Sequence, residues 1–327
     1  MIRKPTLLDV AAAAGVSKSL VSLAVRGEGR VGDDTRRRIL EAADRLGYRS
    51  NPWARSLARG RSQTIGVLVG DLRGYHVDVV RGFEDAAATA GSTVFFADGR
   101  RDPVVLATRL ESMLSLGIDG VVVVSGLADA DVLRAAVGRL PLVVVGRPRA
   151  VPEQVSQVCN DDRVGARMAV HHLAALGHRR IAHIAGSTRE AALARRSSYE
   201  ETMAALGVGS AVRVYDDPAA LVVDVAGGSR DAPTAVFCAT DNAAIATVGA
   251  AVDAGVDVPG RLSVVGYDNI EAASSLRPAL TTVDQPRRRM GELAMVELTN
   301  LMAGGAARRS VVAPSLVVRR STSAPLA

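Results

Sequence analysis

The chain has 327 residues, 48% of them hydrophobic and 23% charged, enough for two or three domains with cores of their own. Apolar runs of about four residues, such as Val121 to Val124, exclude a transmembrane helix, which needs roughly twenty. The net charge of +6 is confined to one end: residues 1–63 carry 13 Lys+Arg against 6 Asp+Glu, and residues 64–327 carry 27 against 28.

A small basic module joined to a neutral body predicts a polyanion partner for the module alone. Its elements follow in order. Thr6 and Asp9 form a capping pair that opens a helix, with Leu7, Val10, Ala11 and Ala14 at helical spacing. Gly15 ends it, because glycine takes positive φ cheaply. Ser17 caps a second helix from Lys18 to about Val25, with Val21 and Val25 directed inward. Ala11-x-x-x-Gly15-Val16 fits a helix-turn-helix, where small residues let two helices approach. A third helix runs from about Asp34 to Leu46, with Ile39, Leu40, Ala43 and Leu46 on one face.

TLLDVAAAAGVSKSLVSLAV and VGDDTRRRILEAADRLGYRSNPWARSLA resemble the DNA-binding headpiece and hinge of the LacI/GalR repressors. The resemblance implies that the second helix enters the major groove of double-stranded operator DNA. Lys18, Ser19 and Leu23 then match base-contacting positions, while Ser17, Ser22 and Thr35 match phosphate-contacting ones. Thr6 and Arg26 belong to the same DNA-facing set. Leu23 departs from the hydrogen-bonding residue common there and offers only apolar contact, for example to a thymine methyl. Asn51 to Ala58 matches the hinge helix, with Leu57 as the minor-groove wedge and Asn51 and Ala54 as its neighbours. Arg55, Arg59 and Arg61 are placed to meet phosphates. Eight residues cannot hold a helix alone in water, so the hinge is expected to order on DNA, with Trp53, the sole tryptophan, as its reporter.

From residue 64 short β-branched runs alternate with amphipathic stretches. Strands are predicted at Ile65–Val69, Val94–Ala97, Gly120–Ser125, Leu142–Gly146, Ile181–Gly186, Val212–Tyr215, Ala235–Ala239 and Leu262–Tyr267. Helices are predicted at Val77–Ala90, Val104–Leu116, Val164–Leu176, Ser198–Leu206 and Asn242–Ala254. Alternation of this kind argues βαβ units and parallel sheets. The pattern is too long for one sheet and divides into two lobes, with crossings near 155–163, 284–290 and 308–316.

The segments NDDRVGARMAVHHLAALGHRRIAHIAG, APTAVFCATDNAAIATVGA, GVDVPGRLSVVGYDN and RPALTTVDQPRRRMGELA continue the family resemblance. They imply an α/β, two-lobed periplasmic-binding-protein type I body behind the all-α headpiece. The expected division is headpiece 1–50, hinge 51–63 and effector-binding and dimerisation body 64–327. Within the body the N-lobe is expected at about 64–158 and 288–310, and the C-lobe at about 162–284 and 314–327. In such sheets ligands sit at the carboxyl ends of strands.

Asp268 matches an effector-contacting aspartate, and an arginine opening the Ser198–Leu206 helix matches another contact. Spacing to Tyr199 favours Arg195 for it; counting from Gly186 favours Arg196. Arg73, Tyr75, Arg147, Asp161, Thr240, Asp241 and Gln285 complete the expected effector set. The resemblance implies a sugar or related polyol, although Arg73, Arg147 and Arg195 together would favour an anionic or phosphorylated ligand. The segment from Val212 to Pro233 looks short, which would thin one pocket wall. The expected protein is a cytoplasmic, nucleoid-associated repressor, dimeric because the chain stops soon after Arg320 without further leucine heptads.

Other motifs are set aside. His171, His172, His178 and His183 lack a carboxylate or thiol partner at metal-ligand spacing, so no metal or other cofactor is expected. Only Lys4 and Lys18 occur, so the body has no lysine for Schiff-base or P-loop chemistry. No catalytic constellation is present, which argues against an enzyme. Cys159 and Cys238 read as packed small residues in a reducing compartment, and MIRKPTLLDV has no secretory core.

Overall fold

Valine spacing sets the architecture of the body. Val121 and Val123 point to one side of a strand and Val122 and Val124 to the other, and all four are buried. A strand apolar on both faces needs helices on both sides, which is the parallel α/β solution. The computed structural model describes residues 5–26, 29–48, 62–72 and 74–326, the Arg26 side chain excepted. The chain divides into two compact units, Met1–Ser62 and Gln63–Ala327.

The first unit holds α1 (Leu7–Ala14), α2 (Lys18–Arg26) and α3 (Asp33–Arg45). The Thr6 backbone N–H donates to Asp9 Oδ2 at 2.7 Å, and the Asp9 N–H donates back to Thr6 Oγ1 at 3.4 Å. Gly15 takes φ 63° to turn the chain, and Ser17 Oγ accepts from the Leu20 N–H at 3.2 Å. Val10, Ala11, Ala14, Val21, Ala24, Val31, Ile39, Ala42 and Ala43 form the core. The expected α3 face needs correction. Leu40 and Leu46 are 47% and 40% exposed, while Ala42 is buried. The buried stripe is Ile39, Ala42 and Ala43, and Leu40 sits about 100° round the helix from Ile39.

The second unit has two sheets. Strands β1 (Thr64–Val69), β2 (Thr93–Asp98), β3 (Gly120–Val124), β4 (Leu142–Val145), β5 (Ser156–Asn160) and β11 (Arg309–Val312) make the N-lobe sheet, ordered β11-β5-β4-β3-β1-β2 and parallel throughout. Between these lie α4 (Tyr75–Thr89), α5 (Pro103–Ser115) and α6 (Ala130–Val137). The C-lobe sheet contains β6 (Ile181–Ile184), β7 (Arg213–Tyr215), β8 (Ala235–Cys238), β9 (Ser263–Asp268), β10 (Thr281–Asp284) and β12 (Ser315–Val317). Its order is β12-β10-β9-β8-β6-β7, with only β12 antiparallel to its neighbour. The remaining helices are α7 (Asp162–Ala175), α8 (Glu190–Ala205), α9 (Pro218–Ala226), α10 (Asp241–Asp253), α11 (Glu271–Ser275) and α12 (Arg287–Met302).

The strands expected from β-branched runs are present, with ends shifted by a residue or two. Strand β5, Ser-Gln-Val-Cys-Asn, has no such run, yet all five residues are buried. The Gln157 side chain donates to the Gly146 carbonyl at 2.9 Å, which lets a polar residue sit inside. Helix α8 begins eight residues before the expected Ser198. Its hydrophobic face is weakly marked because it buries polar side chains, Arg195, Ser198 and Thr202, beside Tyr199 and Met203.

The chain passes between lobes three times: from β5 to α7, from β10 to α12, and from β11 to β12. Helix α12 follows a C-lobe strand but packs on α4 and on β3, β4 and β5 of the N-lobe. Gly82 and Gly291 let α4 and α12 approach closely; a Cβ on Gly291 would run into the Val79 carbonyl oxygen.

Candidate functional site

On the headpiece, Lys18 and Ser19 are exposed at the start of α2, while Ser22 and Leu23 are half-buried along it. Ser17 and Thr6 act as helix caps, so their hydroxyls are already engaged in the fold. Leu23 packs against the headpiece core and beside Gly29, so it divides its side chain between core and surface. Thr35 is half-buried in the first turn of α3. Asn51, Trp53, Ala54, Arg55, Leu57, Arg59 and Arg61, with Arg73 and the Arg26 side chain, lie outside the described residues.

In the body, a cleft of about 730 Å³ lies between the lobes. Asp71, Tyr75, His76, Arg101 and Ser125 line it from the N-lobe. Arg189, Arg195, Asp216, Thr240, Asn242 and Asp268 line it from the C-lobe. These side chains cluster beyond the carboxyl ends of strands, where open α/β sheets leave backbone groups facing a crevice.

Arg195 and Asp268 share the floor. Arg195 Nε donates to Asp162 Oδ1 at 2.9 Å and Nη1 to the Ala239 carbonyl at 2.5 Å. Its guanidinium carbon lies 3.6 Å above the Tyr267 ring, a cation–π contact. Burial works against the Arg195 charge, but Asp162, Tyr267 and Asp268 outweigh it and hold the group protonated. Asp268 Oδ1 accepts from Gln285 Nε2 at 2.5 Å and lies 3.7 Å from Arg195 Nη1. Burial pushes the Asp268 carboxyl up to about 7, with Arg195 pulling it back. The backbone there is left-handed, φ 115° at Asp268 and 53° at Asn269, the kind of strain that collects at ligand sites. The floor can therefore present a donor and a switchable acceptor to one polar ligand.

The other expected effector residues separate. Tyr75 and Thr240 line the cleft, Thr240 also capping α10 by accepting from the Ala243 N–H at 3.2 Å. Gln285 is one step behind the wall, acting through Asp268. Asp241 is fully buried, accepting from Thr282 Oγ1 at 2.5 Å and from the Ile270 N–H at 2.8 Å, so it braces β10 and the loop after β9. Asp161 caps α7, accepting from the Val164 N–H at 3.0 Å. Arg147 pairs with Asp162 at 3.1 Å and faces a different hollow. Arg196 is exposed and pairs with Glu200, because one residue's advance along α8 turns it away from the cleft that Arg195 faces. Neither arginine opens a helix, since α8 starts at Glu190. Asp216 and Pro218, from the short segment after β7, do supply a stretch of wall.

Sequence reasoning missed His76, Arg101, Ser125, Arg189 and Asp216. Ser125 and Asp216 directly follow β3 and β7, so the strand-end rule could have found them. Arg101 and Arg189 sit in irregular loops with no such marker.

Several bonds join the lobes around this floor. Asn160 Nδ2 at the end of β5 donates to the Tyr267 hydroxyl at 2.7 Å. Arg287 donates to Asp78 Oδ2 of α4 at 3.2 Å and to the Asn269 carbonyl at 2.9 Å. Tyr267 and Asn269 are the chain neighbours of Asp268, so these contacts adjoin the floor.

Residues 6–51 match the family model for bacterial regulatory proteins of the lacI family, and residues 170–322 match the periplasmic binding protein-like domain. Catabolite control protein A of Priestia megaterium is 30% identical over 308 residues, 91% of this chain and 92% of that relative. The chain belongs to the lacI family. The regulator is also similar in structure to a lac repressor dimer bound to operator and an anti-inducer, with TM-score 0.84, 27% identity and coverage of 98% of this chain and 100% of the other. A transcriptional regulator CelR–cellobiose complex matches at TM-score 0.69 and 30% identity, over 97% and 99% of the two chains. The regulator is thus a DNA-binding transcription factor with a small-molecule effector domain, and its curated relatives are transcriptional regulators.

Proposed function

We propose that this regulator is a dimeric repressor that reads its operator through Lys18, Ser19 and Leu23 and binds a neutral polar effector, a sugar or polyol, on Arg195 and Asp268. The observation that carries the reading is the union in one chain of an exposed basic reading helix and a cleft floored by buried Arg195 and Asp268. Hydroxyl, amide and carboxylate groups of the cleft suit a ligand rich in hydroxyls. Closure of the lobes on the ligand would rearrange the Asn160–Tyr267 and Arg287–Asn269 contacts. The N-lobe continues directly into residues 51–63, so its rearrangement would make or release the hinge, with Asn51, Ala54, Arg55 and Leu57 on DNA. Phe95 and Phe96, exposed on edge strand β2, give an apolar border for a second copy. A DNA partner supports a location in the cytoplasm, on the nucleoid, and a role as a binding protein rather than an enzyme.

The test is a gel shift with DNA from upstream of its own gene and neighbouring genes, repeated at rising salt. A specific complex with a steep salt slope is expected, and Lys18→Ala should reduce that slope by about one unit if Lys18 meets a phosphate, or relax base preference if it meets guanine. A slope and specificity both unchanged in Lys18→Ala would refute the assigned role. Thermal-shift screening of sugars and polyols should find a ligand whose effect disappears in Asp268→Asn.

A further inference from the structure

A second hollow, of about 500 Å³, lies against the N-lobe edge formed by β5 and β11. It is separate from the interlobe cleft and shares none of its lining residues. Four arginines border it: Arg147 and Arg149 from the loop after β4, Arg308 just before β11 and Arg309 as its first residue. Among the described residues, Arg149, Arg308 and Arg309 have no ion pair and no side-chain hydrogen bond. Other exposed arginines of the body divide between those without an acid and those with one, as Arg134 finds Asp131, Arg139 finds Glu111 and Arg288 finds Asp85. Two glutamates, Glu153 and Glu190, also border the hollow.

Several like charges around one concavity repel, and a bound anion removes the repulsion. The planar guanidinium fork matches phosphate oxygens two at a time. A monoanionic carboxylate satisfies one such fork, whereas a phosphate has enough oxygens for two or three. Glu153 and Glu190 offset part of the positive field there and can accept from hydroxyls of a small ligand. The fourth arginine connects the hollow to the effector floor. Arg147 Nε binds Asp162 Oδ2 at 3.1 Å, and the other oxygen of Asp162 accepts from Arg195 at 2.9 Å. Arg147 also donates to the Asn160 carbonyl at 3.3 Å, where the chain first crosses between lobes.

We infer that this arginine hollow is a second ligand site, for the phosphate group of a small metabolite, coupled to the effector cleft through the Arg147–Asp162–Arg195 chain. Phosphate held by Arg149, Arg308 and Arg309 competes with Asp162 for Arg147, and each change in that competition alters the partner left to Arg195.

Isothermal titration of the full-length protein with inorganic phosphate, at ionic strength held constant with chloride, tests the site. Three proteins are compared: wild type, Arg308→Ala/Arg309→Ala, and Arg101→Ala/Arg189→Ala. The first pair is exposed in the hollow and the second lies in the cleft, so the two sites are distinguished and thermal melts without phosphate confirm folding. Saturable binding in the wild type, weakened at least about tenfold in Arg308→Ala/Arg309→Ala and kept in Arg101→Ala/Arg189→Ala, is the expected result. Asp162→Asn should then change phosphate affinity although Asp162 does not border the hollow. No saturation by about 10 mM phosphate, or saturation equal in wild type and Arg308→Ala/Arg309→Ala, overturns the inference. Loss only in Arg101→Ala/Arg189→Ala also overturns it and assigns the anion to the cleft. The reading of the cleft as a polyol site stands or falls separately, on the sugar screen.

Discussion

Arg195→Met is the most informative single change. It keeps a long apolar stem over Tyr267 and removes the charge. Lost with it are hydrogen bonds to Asp162 and to the Ala239 carbonyl, together with the 3.6 Å contact over the ring. Hydrogen bonds to charged groups are worth about 1.5–3 kcal/mol each and a desolvated cation–π contact about 2 kcal/mol. These do not add, because Arg147 still reaches Asp162. Breaking a buried ion pair from one side costs about 3–5 kcal/mol, since the remaining charge stays buried, and this is the expected loss at pH 8.

The loss should depend on pH. Asp268 titrates near 7 in the fold, above its ordinary 3.8, so its ionisation costs stability as pH rises between these values. Without Arg195 its pKa rises further, and the cost continues to grow above 7 in the variant after levelling off in the wild type. Urea denaturation followed by circular dichroism at pH 5.5 and pH 8 measures both effects. Arg196→Met, one position along and solvent-exposed, is the control and should change stability by less than about 0.5 kcal/mol. A loss under about 1 kcal/mol at pH 8, or a loss equal at the two pH values, would refute the account of the floor.

His183 makes an opposite contribution in the same pH range. Burial pushes it down to about 4 from 6.5, its Nδ1–H donates to the Phe237 carbonyl at 2.8 Å, and protonation would bury a charge. Its stability contribution is complete above about 6.5 and is lost as pH falls toward 4, so His183→Phe should gain about 2 kcal/mol relative to wild type between pH 7.5 and 5. Equal acid shifts in urea midpoint for the two proteins would count against this. Gly291→Ala should push α12 off α4, because the new methyl meets the Val79 carbonyl oxygen; a cost of about 1–3 kcal/mol, read as a lower melting temperature, is expected, and an unchanged melting temperature would show that the helix pair has slack. Ser17→Ala should cost about 1 kcal/mol of headpiece stability by removing the cap on α2, measured as a loss of helical signal on heating, with full retention contradicting the cap.

Period and punctuation made much of the fold legible. Valine runs gave the central strands because a parallel strand is apolar on both faces, and Thr6, Gly15 and Ser17 marked helix ends through local hydrogen bonds and φ alone. Where polar residues are buried, periodicity gave less. Strand β5 carries Gln157 and Asn160 inward, and the early turns of α8 carry Arg195, because each finds a partner on another element: Gly146, Tyr267 and Asp162.

The sequence by itself determined that a basic three-helix reader precedes a neutral two-lobed α/β body, since charge distribution and apolar spacing are properties of the chain. The tertiary structure decided between Arg195 and Arg196, withdrew Asp161 and Asp241 to structural duty, and brought Arg101 and Arg189 into one cleft. Apart from Asp161, whose cap to the Val164 N–H is local, those outcomes depend on burial and on contacts between residues tens of positions apart, and neither quantity exists until the lobes have formed.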